Sequence, residues 1–435
     1  MMKPAHYRKP LEMKPRYRRD HPEVSSYVSV ISVRGRGSPV ELLSPGERLA
    51  SPALVSSAFE TFDRILLTLP NYIFQNPAYF NVYTDLLQKL SPSLHYVILV
   101  QQTSRPTLDQ WIATYHLAGR VTVVETPDYF RFTIWAEDGY AVCQGSGAGK
   151  SFFVEPASFA RAQDGLVADV VSAATDIGTY NTNLYFQGGN LLIGDDFWFL
   201  GLDYANYSFD LGYIEQQPDE SRLEATRRAF GANLDHQRTL YTIASNLPVP
   251  EATRRQFTLD GQPWTEVLYA GNSPGTSQPL FHIDLFLTLA GRDNENRAIV
   301  LVGDPAMADQ ILGRETEPHA MAPIFDDIAD NLSTMGFRVI RNPLPLVYED
   351  DPVNRRRSWY FATSNNALVE VDGDIRNVWL PTYAYGHWQE LEATDQANQR
   401  IWQDLGFQVT MLADFHPFAS FQGAVHCIKK YINRS

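Results

Sequence analysis

Segments with helical hydrophobic spacing alternate with short β-branched segments along most of this chain. Residues 94–101 and 121–125 are β-branched runs of the kind that form buried strands. Residues 52–69 and 158–177 instead carry apolar side chains at the spacing of a helix. This alternation predicts a mixed α/β fold.

The alternation continues through the second half of the chain. Residues 190–202 predict a strand, a turn at Gly194 and Asp195, and a returning strand. Further helices are predicted at residues 219–234, 323–337 and 387–407, and further strands at residues 298–304 and 407–412. A strand pair followed by a helix thus recurs, which is typical of a diverged circular repeat fold but also fits a doubly wound sheet.

Composition indicates a globular protein with an irregular N-terminal extension. The chain has 435 residues, of which 44% are hydrophobic and 12% are aromatic, well above the content of disordered chains. This length admits one or two domains. Residues 1–45 are basic and contain Pro and Gly, so we expect an extension there and a single folded domain over residues 46–435.

The charge of the chain restricts its partners. A formal net charge of −14 would repel polyanions, so we expect no nucleic-acid partner and no binding to anionic membranes. A small cationic substrate suits this charge better. No apolar run is long enough to span a bilayer, and no apolar signal-peptide segment follows the basic N-terminus. We therefore expect a soluble, cytoplasmic protein, and the sequence leaves open whether it forms a homo-oligomer.

Two other features carry less information than they first suggest. The two cysteines, Cys143 and Cys427, are too few for a disulfide scaffold. Residues 144–151 look like a phosphate-binding loop, but Gln144 stands where that motif needs a glycine. A strand-like segment follows where a helix N-terminus would be needed, so we predict a hairpin turn.

Four polar clusters lie inside or beside apolar runs, where a charge is costly unless something uses it. They are residues 134–140, 187–190, 281–286 and 423–428. Taken singly, each has an ordinary explanation, such as a hydrogen-bonded His-x-Asp pair or a cysteine in the core. Taken together, a cysteine, a histidine and two carboxylates match the requirements of nucleophilic attack on a cationic carbon centre.

The order of these clusters resembles the guanidine-modifying pentein superfamily, which includes agmatine, peptidylarginine and arginine deiminases and amidinotransferases. The matching motifs are W-x-x-D at residues 135–138, G-G-N at 188–190, H-x-D at 282–284 and G-x-x-H-C at 423–427. The last of these is most similar to agmatine and peptidylarginine deiminases. The resemblance implies a five-bladed α/β-propeller of ββαβ units with pseudo-fivefold symmetry and an active site in its central tunnel.

The resemblance also implies roles for individual residues. Cys427 would be the nucleophile and His282 its acid–base partner, while Asp138 and Asp284 would bind the guanidinium group through paired hydrogen bonds. Two further residues are implied to line the substrate site: Asn190 and Trp135. No metal or cofactor is implied. On the expectation that Cys427 lies on a strand, His426 would point away from the site and have a structural role.

These roles predict a deiminase that hydrolyses a guanidinium group to a ureido product and ammonia through a thiouronium intermediate on Cys427. The substrate is left open among agmatine, arginine, a modified arginine and peptidylarginine. One departure bears on this choice, because Glu137 stands where agmatine deiminases often carry Arg. Candidate partners for a substrate carboxylate are Arg131, Arg292 and residues 355–357.

Three alternatives use the same residues differently. An amidinotransferase would deliver the amidino group to an amine instead of water. A metallohydrolase would use a ligand set drawn from His282, Asp284, His416 and His426, although the spacing matches no strong zinc pattern. A catalytically silent pentein would act as a binding module.

Overall fold

The computed structural model describes residues 51–145, 150–159, 161 and 163–435, together with the backbone of Ser32–Val33. The predicted basic extension, residues 1–45, lies outside the described residues apart from that short strand. The described strands, numbered in chain order, are β1 Ser32–Val33, β2 Ala53–Leu54, β3 Phe62–Leu69, β4 His95–Gln101, β5 Val121–Thr126, β6 Ala141–Gln144, β7 Ser151–Glu155, β8 Ser158–Phe159, β9 Gly178–Asn181, β10 Leu191–Ile193, β11 Phe197–Gly201, β12 Thr239–Ile243, β13 Thr253–Leu259, β14 Gln262–Leu268, β15 Leu287–Arg292, β16 Ala298–Asp304, β17 Arg338–Pro343, β18 Leu346–Asp351, β19 Arg356–Phe361, β20 Leu368–Asp372, β21 Ile375–Thr382, β22 Gln408–Asp414 and β23 Lys429–Arg434. The described α-helices are α1 Asn71–Gln75, α2 Pro77–Lys89, α3 Arg105–Thr114, α4 Val167–Ala174, α5 Leu202–Asp210, α6 Arg222–Asn233, α7 Pro305–Ile311, α8 Ala322–Thr334, α9 Glu392–Asp404 and α10 His416–Ala419.

The chain is a mixed α/β fold in which one sheet pattern recurs. Six of the described sheets contain an antiparallel strand pair whose second strand pairs in parallel with a third. In the sheet that contains β13 and β14, the third strand is β19, and β15 to β18 lie between β14 and β19 in the chain. The other five form local units: β6-β7-β9, β10-β11-β12, β15-β16-β17, β20-β21-β22 and β23-β3-β4. In each unit at least one helix lies between the two parallel strands, as a parallel connection requires. The recurring strand pair and helix expected from the sequence are therefore present.

The two ends of the described chain meet in one sheet. Strand β23, at the C-terminus, pairs antiparallel with β3, near the start of the described domain. Thr61 and Ser435 exchange two backbone hydrogen bonds of 3.1 and 3.0 Å beyond the end of this pair. This pairing fixes the turn before β23, and therefore the C-terminal G-x-x-H-C motif, against the first unit.

Several elements predicted from the sequence are confirmed. The hairpin expected over residues 190–202 is the pair β10 and β11, and the strands expected at 94–101, 121–125 and 298–304 are β4, β5 and β16. Helix α6 begins with a capping box in which Ser221 and Glu224 bond each other's backbone N–H groups. The segment around residues 144–151 joins the antiparallel strands β6 and β7, although residues 146–149 lie outside the described residues.

Two predicted helices are wrong in whole or in part. Residues 52–69 form the strands β2 and β3 and no helix, because β3 lies between two neighbouring strands and buries both faces. A strand buried on both faces is a continuous apolar run, which periodicity cannot separate from a buried helix. In the second case, the described part of residues 158–177 is helical only at Val167–Ala174 and, for one short turn, Asp164–Leu166.

Candidate active site

Cys427 lies in the turn that precedes β23, and Asn366 holds that turn in place. Asn366 Oδ1 accepts hydrogen bonds from the backbone N–H groups of Ala424 at 2.9 Å and Cys427 at 3.2 Å. Its amide Nδ2 donates to Cys427 Sγ at 3.2 Å. The expectation that Cys427 lies on a strand is therefore wrong, because residues 425–428 form a turn. Cys427 itself is 2% exposed, so its thiol is reached only from within the protein.

Asp284 contacts both the thiol and the adjacent histidine. Its Oδ2 accepts a hydrogen bond from His426 Nδ1 at 2.8 Å and lies 3.5 Å from Cys427 Sγ. His426 was expected to point away from the site. That expectation is wrong, because a turn does not place successive side chains on opposite faces as a strand does. Asp284, Cys427 and His426 therefore form one contact group.

His282 lies beside this group, in a backbone conformation that the sequence did not predict. An H-x-D segment on a strand would place both side chains on one face, but here His282 is extended and Ile283–Leu285 form one turn of 3-10 helix. His282 Nε2 is 2.7 Å from Gln187 Oε1, which assigns the ring proton to Nε2. The close packing of the ring explains Gly189, where a Cβ atom would lie 2.5 Å from His282 Nδ1.

Asn190 holds the backbone on either side of His282. Its Nδ2 donates to the carbonyl of Phe281 at 2.8 Å, and its Oδ1 accepts from the backbone N–H of Ile283 at 3.1 Å. Gln278 Nε2 donates to the same Oδ1 at 2.9 Å, and Asn190 has no exposed surface. A direct contact between Asn190 and substrate stays a prediction, whereas these hydrogen bonds support a role in positioning His282.

Asp138 reaches the site from the first polar cluster, and its neighbour Glu137 anchors it. The backbone N–H of Glu137 donates to the carbonyl of Cys427 at 3.1 Å, so the residue next to Asp138 contacts the backbone of Cys427 directly. The Glu137 carboxylate is buried and bonds Lys429 at 2.9 Å and Lys430 at 2.7 Å. Although burial opposes the shift, the two lysines lower the pKa of Glu137 to about 2.

The carboxylate of Asp138 contacts an arginine of the same chain. Arg161 Nη2 donates to Asp138 Oδ2 at 2.7 Å, and Arg161 Nε donates to Asp164 Oδ2 at 2.6 Å. The other oxygen of Asp138, Oδ1, lies 3.8 Å from His282 Nδ1, which is too far for a hydrogen bond. Burial raises the pKa of Asp138 to about 6, even though Arg161 acts to lower it.

Three polar atoms around Cys427 are buried without a hydrogen-bond partner among the described residues. They are Asp138 Oδ1, Asp284 Oδ1 and His282 Nδ1. Because a buried unpaired polar atom costs about 1–3 kcal/mol, a group of such atoms in one place indicates a site for a polar ligand. Two carboxylate oxygens beside a planar-ring nitrogen suit a ligand with several N–H donors and positive charge.

Burial also sets the protonation states at this site. It raises the pKa of Cys427 well above its ordinary value, and Asp284 and Asp138 raise it further, so the thiol is protonated in this state. It lowers the pKa of His282 to about 4, against the opposing effect of Asp284, so the imidazole is neutral at pH 7. The site therefore holds a thiol and a neutral base, and a bound cation would favour the thiolate.

A cavity of about 460 Å³ lies next to two aromatic residues that contact His282. Phe281 lines this cavity and packs against His282 with the rings tilted by 36° and their centroids 4.0 Å apart. Tyr204 also lines it, at 6.0 Å from the imidazole. The remaining wall is largely aromatic and acidic, and includes Tyr185, Tyr207, Asp203 and Asp210.

The other residues singled out in the sequence lie as follows. Trp135 is partly buried and packs against Gly423, where a Cβ would collide with the indole ring. Cys143 is a free buried thiol that donates to the carbonyl of Leu234 at 3.3 Å, and burial raises its pKa to about 12. Arg292 bonds Asp195, so its charge is already paired.

The four residues of the alternative metal-ligand set, His282, Asp284, His416 and His426, do not come together in one site. His416 bonds Tyr360 at 2.8 Å and the carbonyl of Tyr383 at 2.8 Å, in a different group of contacts from His282. Among the described residues, no group of three or more His, Cys, Asp or Glu side chains has a metal-binding arrangement. Within the same part of the chain, none of the helices is long and apolar enough to cross a membrane.

Sequence reasoning assigned no role to three residues that hold this site together. Asn366 and Arg161 lie outside the four polar clusters, and Gln187 is marked only by its place at the start of the cluster at residues 187–190. Each comes from a segment distant from the residue it contacts. The position of Gln187 directly before the G-G-N motif is the one signal that the sequence offers for these three residues.

Solved structures with the same fold include agmatine deiminases. A structural-genomics protein provisionally described as an agmatine deiminase superposes with a TM-score of 0.59 at 14% identity, covering 88% of this chain and 96% of its own. The agmatine deiminases of C. jejuni and Enterococcus faecalis each superpose with a TM-score of 0.56 at 12% identity and the same coverage. No family model and no curated protein matches by sequence. The chain thus has the fold of these agmatine deiminase structures, at low sequence identity.

Proposed function

We propose that this protein is a deiminase that hydrolyses the guanidinium group of an arginine-like substrate to a ureido product and ammonia. The observation that carries the proposal is the position of Cys427 Sγ, 3.5 Å from Asp284 Oδ2 in a buried site that also contains His282 and Asp138. A nucleophile, a base and two carboxylates are the groups that this reaction needs. The shared fold with agmatine deiminases adds support.

Substrate binding is assigned to Asp138 and Asp284. A guanidinium group is planar, permanently charged and carries several N–H donors, and the unpaired Oδ1 atoms of these residues can accept from it. Binding would replace two unsatisfied acceptors by charge-assisted hydrogen bonds. The aromatic and acidic wall of the adjoining cavity would accommodate the rest of a cationic substrate.

Cys427 acts as the nucleophile once the cation is bound. The thiol is protonated in the free protein because burial and two carboxylates disfavour the thiolate. A guanidinium group between Asp138 and Asp284 adds a positive charge next to the sulfur, which lowers the pKa of the thiol. Neutral His282 accepts the thiol proton, and the thiolate forms a C–S bond with the guanidinium carbon.

Ammonia then leaves and water completes the reaction. The imidazolium of His282 gives its proton to an amino group, the C–N bond breaks, and ammonia departs from the tetrahedral adduct. The product of this half-reaction is an S-alkylthiouronium on Cys427. His282, neutral again, takes a proton from water, whose oxygen attacks the same carbon. The C–S bond breaks and releases the ureido product, and the imidazolium of His282 returns a proton to Cys427. The remaining proton, from the hydroxyl group of the adduct, is released and converts the departed ammonia to ammonium.

The proposal extends to the arrangement of the fold. We propose that the five recurring units form a propeller around a pseudo-fivefold axis, with residues 46–435 as one domain. The closure of β23 onto β3 supports a circular arrangement, because it joins the last strand of the chain to the first unit. The site residues come from segments that lie between or next to these units, as expected of a central site.

Turnover with three separate substrates tests the proposal. Wild type and Cys427→Ala are given agmatine, arginine or an arginine-containing peptide, and ureido product and ammonia are measured. We expect product from at least one substrate with wild type and none with Cys427→Ala. Cys143→Ala is the matched control, because it removes the other buried thiol and should keep turnover. Ammonia released without an added amine separates a deiminase from an amidinotransferase, and full turnover by Cys427→Ala would contradict the proposal.

A further inference from the structure

The two carboxylates at the site have the same arrangement, in which one oxygen is held by the protein and the other is not. Asp284 Oδ2 accepts from His426 Nδ1 at 2.8 Å, and Asp138 Oδ2 accepts from Arg161 Nη2 at 2.7 Å. In both residues the second oxygen, Oδ1, has no hydrogen-bond partner among the described residues. Each carboxylate therefore turns one oxygen towards a fixed donor and leaves the other available.

Arg161 is itself fixed by a second carboxylate. Its Nε donates to Asp164 Oδ2 at 2.6 Å, and Asp164 in turn accepts from Thr133 at the backbone N–H, 2.7 Å away, and at the hydroxyl, 2.5 Å away. The guanidinium also lies over the ring of Phe159, 5.1 Å from its centroid. A side chain held at three points has little freedom to leave the site.

We propose that Arg161 is a positioning residue that keeps Asp138 ionised and turns its Oδ1 towards the substrate guanidinium. This inference rests on the proposed function for the identity of the substrate, but the effect of Arg161 on Asp138 does not. The role belongs to a residue outside all four sequence motifs. Asp164 and Thr133 support this role, because their hydrogen bonds hold Arg161 in place.

The opposite role for Arg161, as an internal guanidinium that competes with substrate, fits the contacts less well. A competitor would engage the face of Asp138 that substrate needs, yet Arg161 contacts Oδ2 and leaves Oδ1 next to His282, at 3.8 Å from Nδ1. A competitor would also have to leave, whereas Arg161 is bonded to Asp164.

The charged surroundings of Asp138 explain why it needs a cation. The titratable groups that face it are Arg161, Glu137, Asp164, His282, Tyr140, Tyr204 and Cys427. Of these, Arg161 alone is positively charged at pH 7. Burial and the carboxylates of Glu137 and Asp164 all favour a protonated Asp138, and a protonated carboxyl group cannot pair with a guanidinium cation.

The titration of Asp138 tests this directly. Protein labelled with ¹³C-aspartate is followed by NMR against pH, and Asp138→Asn assigns the resonance. We expect Arg161→Gln to raise the pKa of Asp138 and Arg161→Lys, which keeps the charge, to leave it nearer the wild-type value. Arg228→Gln is the matched control, because Arg228 pairs with Glu220 away from the site. An unchanged pKa of Asp138 in Arg161→Gln would overturn the proposal.

Binding of agmatine supplies the second readout. In a Cys427→Ala background, Arg161→Gln should bind agmatine about tenfold more weakly at pH 7 for each unit that the pKa of Asp138 rises above 7, and the loss should shrink at pH 9. A merely structural role would weaken binding equally at both pH values, and a competitor role would tighten it. Either result would overturn the proposal. If wild type turns over no guanidino substrate, the proposed function fails, while the NMR titration still decides the effect of Arg161.

Discussion

His426 and Asp284 are joined by a hydrogen bond of 2.8 Å, and the Asp284 oxygen that accepts it lies 3.5 Å from Cys427 Sγ. The imidazole therefore fixes which oxygen of Asp284 faces the thiol and which remains for substrate. His426 and Cys427, which are adjacent in the chain, thus both contact the carboxylate of Asp284. This arrangement makes His426 part of the site although it need not touch the substrate.

Removing His426 should slow the reaction without unfolding the protein. His426→Ala loses one hydrogen bond to a charged group, worth about 1.5–3 kcal/mol, so we expect kcat/KM to fall by about 10- to 100-fold. His426→Asn, whose amide can still donate, should retain part of the activity. Steady-state kinetics with the best guanidino substrate measure this effect. His236→Ala, on the exposed surface, is the control, and equal activity of His426→Ala and wild type would contradict this role.

The reaction should lose efficiency at acid pH through Asp138. Burial raises the pKa of Asp138 to about 6, so the carboxyl group is charged above that pH and neutral below it. Because the neutral form cannot pair with the cation, kcat/KM should hold above pH 6 and fall about tenfold per pH unit below it. His282, with a pKa of about 4, stays mostly neutral above pH 5. Kinetics between pH 5 and 8 test the prediction, and a profile with no fall below pH 6 would contradict it.

Asn366 should contribute to both stability and activity. Asn366→Ala leaves the buried N–H groups of Ala424 and Cys427 without their acceptor, at a cost of about 1–3 kcal/mol each. We expect a loss of about 2–6 kcal/mol in the free energy of unfolding, measured with urea. Asn366→Asp keeps the acceptor oxygen but replaces the amide that donates to Sγ. It should keep more of the stability and little of the activity, and the reverse pattern would contradict this account.

Gly189 should be required for the position of the His282 imidazole. A Cβ atom at residue 189 would lie 2.5 Å from His282 Nδ1, so Gly189→Ala must displace the ring. Since misplacement of a catalytic group by 1 Å can cost about 100-fold, we expect kcat to fall by that order. Gly231→Ala is the matched control, because its nearest neighbour is 3.9 Å away and the residue lies in a helix. Similar kinetics for the two variants would show that the ring can move at no cost.

The sequence predicted fold elements best where a local pattern decides them. The strands at residues 94–101 and 298–304 and the helix that follows Ser221 depend on β-branched runs and a capping box. The helix predicted at residues 52–69 was wrong because β3 is buried on both faces by its neighbours. Such burial is a property of the sheet, and no local pattern reports it.

The sequence predicted which residues form the candidate site better than it predicted how they are arranged. The ordered motifs identify four candidate site residues, Cys427, His282, Asp138 and Asp284. The structure brings their segments together. The strand geometry assumed for Cys427 placed its neighbour on the wrong side, because turns have no side-chain alternation. The sequence could not predict the role of Arg161. A single arginine outside the motif that contains Asp138, the residue it bonds, leaves no periodic or spacing signal.

Mass spectrometry of the protein during turnover tests whether Cys427 is the nucleophile. Wild type is mixed with excess agmatine or arginine, quenched in acid within the first turnovers, and digested to locate any modification. We expect a covalent adduct on Cys427 whose mass equals that of the substrate less one ammonia, and no adduct on Cys143. Product formation with Cys427 unmodified at every time point, or an adduct on another residue, would contradict nucleophilic catalysis by Cys427.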